Sequence, residues 1–174
     1  MPDLRIRDTH AGDVDVWRAL RIEGIERHPE AFMITAEAVR AIPMEQDAKA
    51  LDKQSRWLAL LDEKPVGFVG LHPNTLERAR HRAEIGPLYV TPNARGRGVA
   101  EALITHAMAA GRTLGIWQFE LFVNDENAAA RRLYARLGFV EAGAIPNAIL
   151  AAGGPERDVL MIRTETPVTV AQPQ

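Results

Sequence analysis

Leu88-Tyr89-Val90-Thr91-Pro92-Asn93-Ala94-Arg95-Gly96-Arg97-Gly98-Val99-Ala100-Glu101-Ala102-Leu103 reads as the end of a strand, a tight polar turn and the start of a helix. Gly96 and Gly98 let the backbone curl and let a ligand approach it closely. The first N–H groups of the helix beyond Gly98 have no partner inside the helix. Those donors, the helix dipole, Arg95 and Arg97 together suit a pyrophosphate. Two other phosphate loops fail. G-x-G-x-x-G needs a third glycine where Glu101 stands, and no Gly-Lys-Ser/Thr occurs anywhere in the chain. The plain structural alternative is a glycine-rich corner between a strand and a helix.

The residues before the corner, Ala83 to Val90, form the expected central strand. Gly86-Pro87 lies inside it. Proline cannot donate to a ladder, so the strand must be bulged or unpaired there. A site that needs a strand to part from its neighbour would use such a break. After the corner, Val99, Leu103, Ala107, Ala110 and Leu114 fall on one helical stripe, with Glu101, Thr105 and Arg112 opposite. Gly115 closes the helix. Ile116 to Val123 alternates as a strand, with Trp117, Phe119, Leu121 and Val123 on one face. The β–α–β spacing makes this strand parallel to the central one.

Upstream, Leu4 to Arg7 is a first strand. A helix follows from Asp13 to about Arg27, with Val14, Trp17, Leu20 and Gly24 inward. His28-Pro29 ends it. Phe32 and Met33 read as packing residues of a short apolar loop. A second helical region from Glu37 to Lys53 is interrupted at Pro43. Trp57–Leu61 and Val66–Leu71 form a hairpin across Asp62–Pro65. Pro73 to His81 is a polar loop, and Arg78, Arg80 and Arg82 beside His81 read as a solvated basic run. Downstream, Asn127 to Leu137 is a helix capped by Gly138, and Phe139 to Ala142 begins a strand. Gly143 to Arg157 reads as a long loop, Asp158 to Arg163 as the last strand. The expected organisation is one domain over 1–163 and a loose tail over 164–174.

Composition narrows the chemistry. The 174 residues carry 47% hydrophobic and 25% charged side chains with a net charge of −2, so no global basic field favours nucleic acid. No apolar run reaches membrane-spanning length and the N-terminal residues lack a signal-peptide core, so the expectation is a cytoplasmic protein without membrane association. There is no cysteine, hence no disulfide and no thiol nucleophile. The single serine, Ser55, has no nucleophile elbow around it, and the five histidines show no metal-ligand spacing. A covalent acyl-enzyme and a zinc hydrolase are both poorly supported.

Asn127-Ala128-Ala129-Ala130-Arg131-Arg132-Leu133-Tyr134-Ala135-Arg136-Leu137-Gly138-Phe139 carries a second pattern. Asn127 and Tyr134 are nearly two turns apart and share a helix face, with the small Ala130 close to it. A polar Asn, a small residue and a Tyr in line suit a thin polar chain. The alternative is a capping Asn and a half-buried Tyr.

Together the two stretches, Arg-x-x-Gly-x-Ala from Arg95 to Ala100 and Asn-x-x-Ala-x-x-x-Tyr-x-x-x-Gly-Phe from Asn127 to Phe139, resemble the GNAT superfamily of N-acetyltransferases. The specific resemblance covers roughly Glu84 to Phe139. It implies an α/β (α+β) three-layer fold: a mixed, mostly antiparallel sheet of about seven strands, a bulged central strand and flanking helices. It implies direct acetyl transfer from acetyl-coenzyme A to an amine, with no metal. Backbone groups of Leu88, Tyr89 and Val90 would pair with pantetheine like an added strand. The backbone of Arg95, Gly96, Arg97, Gly98, Val99 and Ala100 would hold the pyrophosphate, and Asn127 the pantetheine arm. A Val90 N–H would stabilise the oxyanion. Glu84 matches a general-base position and Tyr134 the Tyr that protonates the leaving thiolate. In the family the first helix–loop–helix borders the acceptor pocket, which makes Phe32 and Met33 candidates there. The acceptor is a small amine or, alternatively, a peptide N-terminus or lysine. A non-catalytic coenzyme A sensor is the third reading, and a homodimer is a family-level expectation.

Overall fold

The computed structural model describes residues 3–53 and 55–166. Its strands are β1 (Leu4–Asp8), β2 (Arg56–Leu61), β3 (Lys64–Pro73), β4 (Arg82–Val90), β5 (Gln118–Asn124), β6 (Val140–Ala151) and β7 (Gly154–Thr164). Its helices are α1 (Val14–Arg27), α2 (Ala36–Ala41), α3 (Met44–Leu51), α4 (Val99–Thr113) and α5 (Ala128–Arg136). The strands form one open mixed sheet in the order β1-β2-β3-β4-β5-β7-β6. Among the described residues only β4 and β5 pair in parallel, as the intervening helix requires.

Strand alternation creates two cores. Leu58, Leu60, Phe68 and Tyr89 pack under α1 with Trp17, Leu20, Val39 and Leu51. Trp57, Val69, Leu71, Ile85, Phe119, Leu121 and Met161 pack under α4 and α5 with Leu103, Ile104 and Tyr134. α4 approaches the sheet closely at Gly111, where a Cβ would stand 2.6 Å from the Phe119 ring. The expected stripe holds at Val99, Leu103 and Ala107 but not at Leu114, which is 61% exposed. The helix ends at Thr113, and Ile104, Met108 and Gly111 complete the buried face instead. The α1 side encloses charge as well. Arg18 bonds Asp47 (2.8 Å) and the carbonyls of Val39 and Ile42, tying α1 to α2 and α3. Such a pair is held by its full set of hydrogen bonds, since an unpartnered buried charge costs several kcal/mol.

Three expectations are corrected. The long loop from Gly143 to Arg157 is a hairpin, β6 and β7, with backbone pairing from Val140↔Ile162 to Ala151↔Gly154 and an irregularity between Ile145 and Ile149. Its Ala, Gly and Pro residues show no alternation because β6 is an edge strand, exposed along most of its length. Phe32 is buried beside α1, but Met33 is 80% exposed, so only the first is a packing residue. The tail does not begin at Thr164. That residue ends β7, and Glu165 is fixed by Arg112, Arg163 and the Trp117 carbonyl. Residues 167–174 of the expected tail lie outside the described residues.

Candidate active site

β4 and β5 pair only at Arg82↔Gln118, Ala83↔Phe119 and Glu84↔Glu120. Beyond Glu84 they part. On the other side β4 continues along β3, with a register shift where Gly86-Pro87 stands opposite Gly70. β4 holds one extra residue there, and the Gly86 carbonyl lies where a Gly70 Cβ would be 2.7 Å away. His72 Nε2 bonds the same carbonyl at 2.7 Å. The bulge shifts the alternation by one. Ile85 faces α4, while Tyr89 faces α1 and donates to Glu23 at 3.0 Å.

The same shift decides which backbone groups are free. Thr91 donates to the Val66 carbonyl, so 66 and 91 are a hydrogen-bonded pair. Alternation then turns the Tyr89 backbone to Phe68 and the Leu88 and Val90 backbones to the gap. A Cβ on Gly67 would stand 2.6 Å from the Tyr89 carbonyl, as this requires. Of the strand residues expected to receive an extended chain, Leu88 offers both backbone groups and Val90 its N–H, the Val90 carbonyl accepting the Arg95 Nε, and Tyr89 offers neither.

At the end of β4 the chain makes a short turn at Pro92–Ala94 and enters α4 through Gly96 (φ +73°) and Gly98 (φ +77°). Nothing stands within 4 Å of a Cβ built on either glycine, so their backbone faces open space. No side chain among the described residues caps α4. The first helical bond is Ala102 N–H to Gly98 O, which leaves the preceding N–H groups directed out of the helix end. Arg97 is exposed on this loop. The Arg95 guanidinium is occupied elsewhere: Nε donates to Val90 O (3.2 Å) and Nη2 to His28 Nε2 (2.8 Å). The backbone N–H groups remain the direct donors at the corner, while the guanidinium is drawn toward Val90 and His28.

Asn127 caps α5, its Oδ1 accepting the Ala130 N–H at 3.1 Å, which leaves the amide NH₂ free to donate. Tyr134 is 8% exposed and packs edgewise on Phe139, more deeply enclosed than the half-buried ring of the structural alternative. Burial pushes its phenol up to about 12, so the ring holds its proton at neutral pH. At the crotch of the fork Glu84 and Glu120 lie side by side. Arg82 bonds both Glu120 oxygens (2.5 and 2.8 Å) and Gln118 adds a third bond (2.7 Å). Arg82 therefore holds the Glu120 carboxyl below its usual range. Glu84 is exposed and enters no ion pair among the described residues, so it does not balance Arg82. It lines an open cleft of about 530 Å³ with His72, Leu76, Glu120 and Phe122.

The sheet thus parts beyond Glu84↔Glu120, with the Leu88 and Val90 backbones turned toward the opening and the glycine corner following at the end of β4. Residues 17–139 match the family model of the acetyltransferase (GNAT) family. The chain belongs to the GNAT acetyltransferase family. Among GNAT relatives, an uncharacterized N-acetyltransferase of Methanocaldococcus jannaschii is 38% identical over 52% of this chain and 41% of its own length. The mycothiol acetyltransferase of Thermobispora bispora is 32% identical over 78% of this chain and 46% of its own. The chain spans less than half the length of these curated relatives. The GNAT fold recurs in a Streptococcus pneumoniae acetyltransferase at TM-score 0.82 and 22% identity, covering 94% of this chain and 100% of that one. It recurs in yncA of Salmonella typhimurium, solved with its cofactor acetyl-CoA, at TM-score 0.80 and 16% identity over 95% and 98% of the two chains.

Sequence reasoning missed the partners of this GNAT site. His28 and Arg95 meet across 67 residues, and Arg82 and Glu120 across 38. The Glu84↔Glu120 neighbourhood follows from the β–α–β register, which was legible as parallel pairing but not as a particular alignment. No helix of the described residues is long and apolar enough to cross a membrane.

Proposed function

We infer that this GNAT domain transfers an acetyl group from acetyl-coenzyme A to a primary amine of a small molecule. The observation that carries the reading is the opening of the sheet beyond Glu84↔Glu120, with the Leu88 and Val90 backbones turned into the gap. Acetyl-coenzyme A supplies the thioester. The corner from Arg95 to Ala100 holds the pyrophosphate through backbone N–H groups, with Gly96 and Gly98 giving the close approach. Leu88 and Val90 bond the pantetheine arm, and the Asn127 amide NH₂ bonds its far side. The Val90 N–H lies toward the gap, where it stabilises a developing oxyanion. Glu84 takes the proton of the acceptor ammonium through water, and Tyr134 returns a proton to the sulfur.

Hydrogen bonding favours Glu84 over its neighbour. Glu120 already accepts three bonds, two from Arg82 and one from Gln118, while Glu84 is unpaired. The cleft beside Glu84 falls within the range of small-molecule sites. A small amine fits that volume, and because the cleft is open to one side the choice against a peptide end falls to the acceptor panel. The test is thiol release from acetyl-coenzyme A against a panel of alkylamines, amino sugars, aminoacyl amines and short peptides. Turnover with small amines and none with peptides is expected. Turnover confined to peptides would reassign the acceptor, and coenzyme A binding with no turnover on any amine would favour a sensor.

A further inference from the structure

The bulge in β4 has a counterpart on β3. Gly70 stands at the register shift, and a Cβ there would lie 2.7 Å from the Gly86 carbonyl oxygen and 3.1 Å from His72 Nε2. Only a residue without a side chain leaves room for both. His72 folds back into that room, and its Nε2 lies 2.7 Å from the Gly86 oxygen. A carbonyl oxygen can only accept, so Nε2 carries the hydrogen. In the neutral ring Nδ1 is then the nitrogen with the lone pair, and it makes no hydrogen bond among the described residues. A cap for the bulge needs only the Nε2 hydrogen. The unused base on the other side of the ring is the feature to explain.

The register decides what this base stands beside. Leu71 and Ile85 pair across β3 and β4, and both turn to the α4 side. Their neighbours His72 and Glu84 also pair, so they share the opposite face. Glu120 follows on β5, opposite Glu84. The three residues form a row across adjacent strands, spaced about 4.8 Å apart. All three line the open cleft of about 530 Å³, and His72 and Glu84 are exposed in it. The charges around His72 are mostly accounted for. Arg82 and Glu120 bond each other. Arg56 stands opposite Gly70 on β2, with one guanidinium nitrogen on the Ala50 carbonyl at 2.6 Å. Glu77, Arg78 and Arg80 are exposed on the loop after β3. Glu84 remains as the unpaired carboxylate next to the ring, and no direct hydrogen bond joins the two among the described residues.

We propose that His72 is the second proton acceptor of this site: the proton that Glu84 takes from the acceptor ammonium passes through water to His72 Nδ1. This rests on the acyl-transfer reading, which gives the reacting amine to Glu84. Imidazoles are stronger bases than carboxylates, by about two pKa units in model peptides. The transfer therefore restores the carboxylate beside a ring that can hold the charge. An N–H bond of the ammonium breaks and an N–H bond at Nδ1 forms. The imidazolium keeps its Nε2 hydrogen on the Gly86 carbonyl and has Glu84 as counter-charge. When the freed amine attacks the thioester, Tyr134 gives its proton to the sulfur and the nitrogen's second proton replaces it. The proton on His72 leaves to the water of the open cleft. It is the one proton released when an ammonium and a thioester become an amide and a thiol.

The test is thiol release from acetyl-coenzyme A with the fastest alkylamine of the acceptor panel, read as kcat/KM from pH 5 to 10 in wild type and His72→Gln. The Gln carboxamide can still donate to the Gly86 carbonyl but cannot take a proton. Imidazoles gain their proton between about pH 5 and 8. The wild-type profile should break in that window and run level above it. His72→Gln should lose the break, be at least tenfold slower at pH 7, and climb toward the wild type as free amine accumulates near pH 10. Because both groups act on one proton, adding His72→Gln to Glu84→Gln should slow turnover no more than a few-fold further. A break that survives in His72→Gln, or effects that multiply in the double variant, overturns the relay and leaves His72 a cap of the bulge. Should His72→Gln melt early, His72→Ala carries the test. Added imidazole should raise its turnover at pH 7 at least tenfold and leave the wild type unchanged, and no response overturns the relay. A wild type without turnover on any amine overturns the acyl-transfer reading, and the relay with it. Wild-type turnover that the His72 variants match at every pH overturns the relay alone.

Discussion

Replacing Glu84 by Gln removes the one carboxylate at the fork that no arginine holds. Its neighbour cannot substitute, because Glu120 accepts two bonds from Arg82 and one from Gln118. The size of the effect follows from the acceptor. An alkylamine with a pKa near 10.4 is free of its proton at pH 7 in only about one molecule in 2,500, a cost of roughly 4.6 kcal/mol. If Glu84 accepts the proton, the bound ammonium is deprotonated in place and kcat/KM should be nearly level between pH 7 and 9. In Glu84→Gln the reaction depends on amine already free in solution. Turnover at pH 7 should fall by roughly 10² to 10⁴, the range of general-base catalysis. It should then climb about tenfold per pH unit until the two profiles approach each other near pH 10. The assay is thiol release at saturating acetyl-coenzyme A, with the amine varied from pH 6 to 10. Parallel profiles, with the variant slower by one factor at every pH, would refute the proton-acceptor role and leave Glu84 a binding residue.

Gly98→Glu places a carboxylate at the open corner and a side chain at φ +77°, so coenzyme A affinity by calorimetry should weaken at least tenfold, while Gly98→Asn, which tolerates that φ, should stay within a few-fold; equal affinity in both would remove the corner from the site. Tyr134→Phe should lower turnover roughly 10- to 1000-fold with little change in coenzyme A affinity. The same variant has a stability signature. The folded phenol titrates near 12 and the unfolded one near 10, so its contribution is intact below pH 10 and is lost as pH rises from 10 to 12, by roughly 3 kcal/mol. Denaturant titrations across that window should show a shallower alkaline loss in Tyr134→Phe, and an identical loss would deny that this ring is the one held neutral. Asp47→Ala strands Arg18 in the α1–α3 interface and should cost about 3–5 kcal/mol by urea unfolding, whereas adding Arg18→Met should recover part of it; a double variant as unstable as the sum of the two would show the pair to be uncoupled.

What could be read along the chain was whatever is encoded over a few residues. Gly96 and Gly98 have the positive φ that their spacing suggested, Pro87 breaks β4 where a missing donor must, and Asn127 and Tyr134 hold their places on α5 because helical periodicity is local. These were enough to make β5 parallel to the central strand and to place the corner, the break and the second motif. The β6–β7 hairpin was not legible. Its edge strand buries little on either face, so no alternation is imposed on it, and its pairing is decided by β7 rather than by its own residues. Nor could the chain alone assign charges to partners. Arg95 turns to His28 rather than outward, Arg82 chooses Glu120 and so leaves Glu84 free, and Asp158 is enclosed while Glu84 on the same face is not. Each outcome depends on which residues of distant strands come opposite one another and how far water is excluded there. Those are properties of the register between elements, and a linear pattern does not contain them.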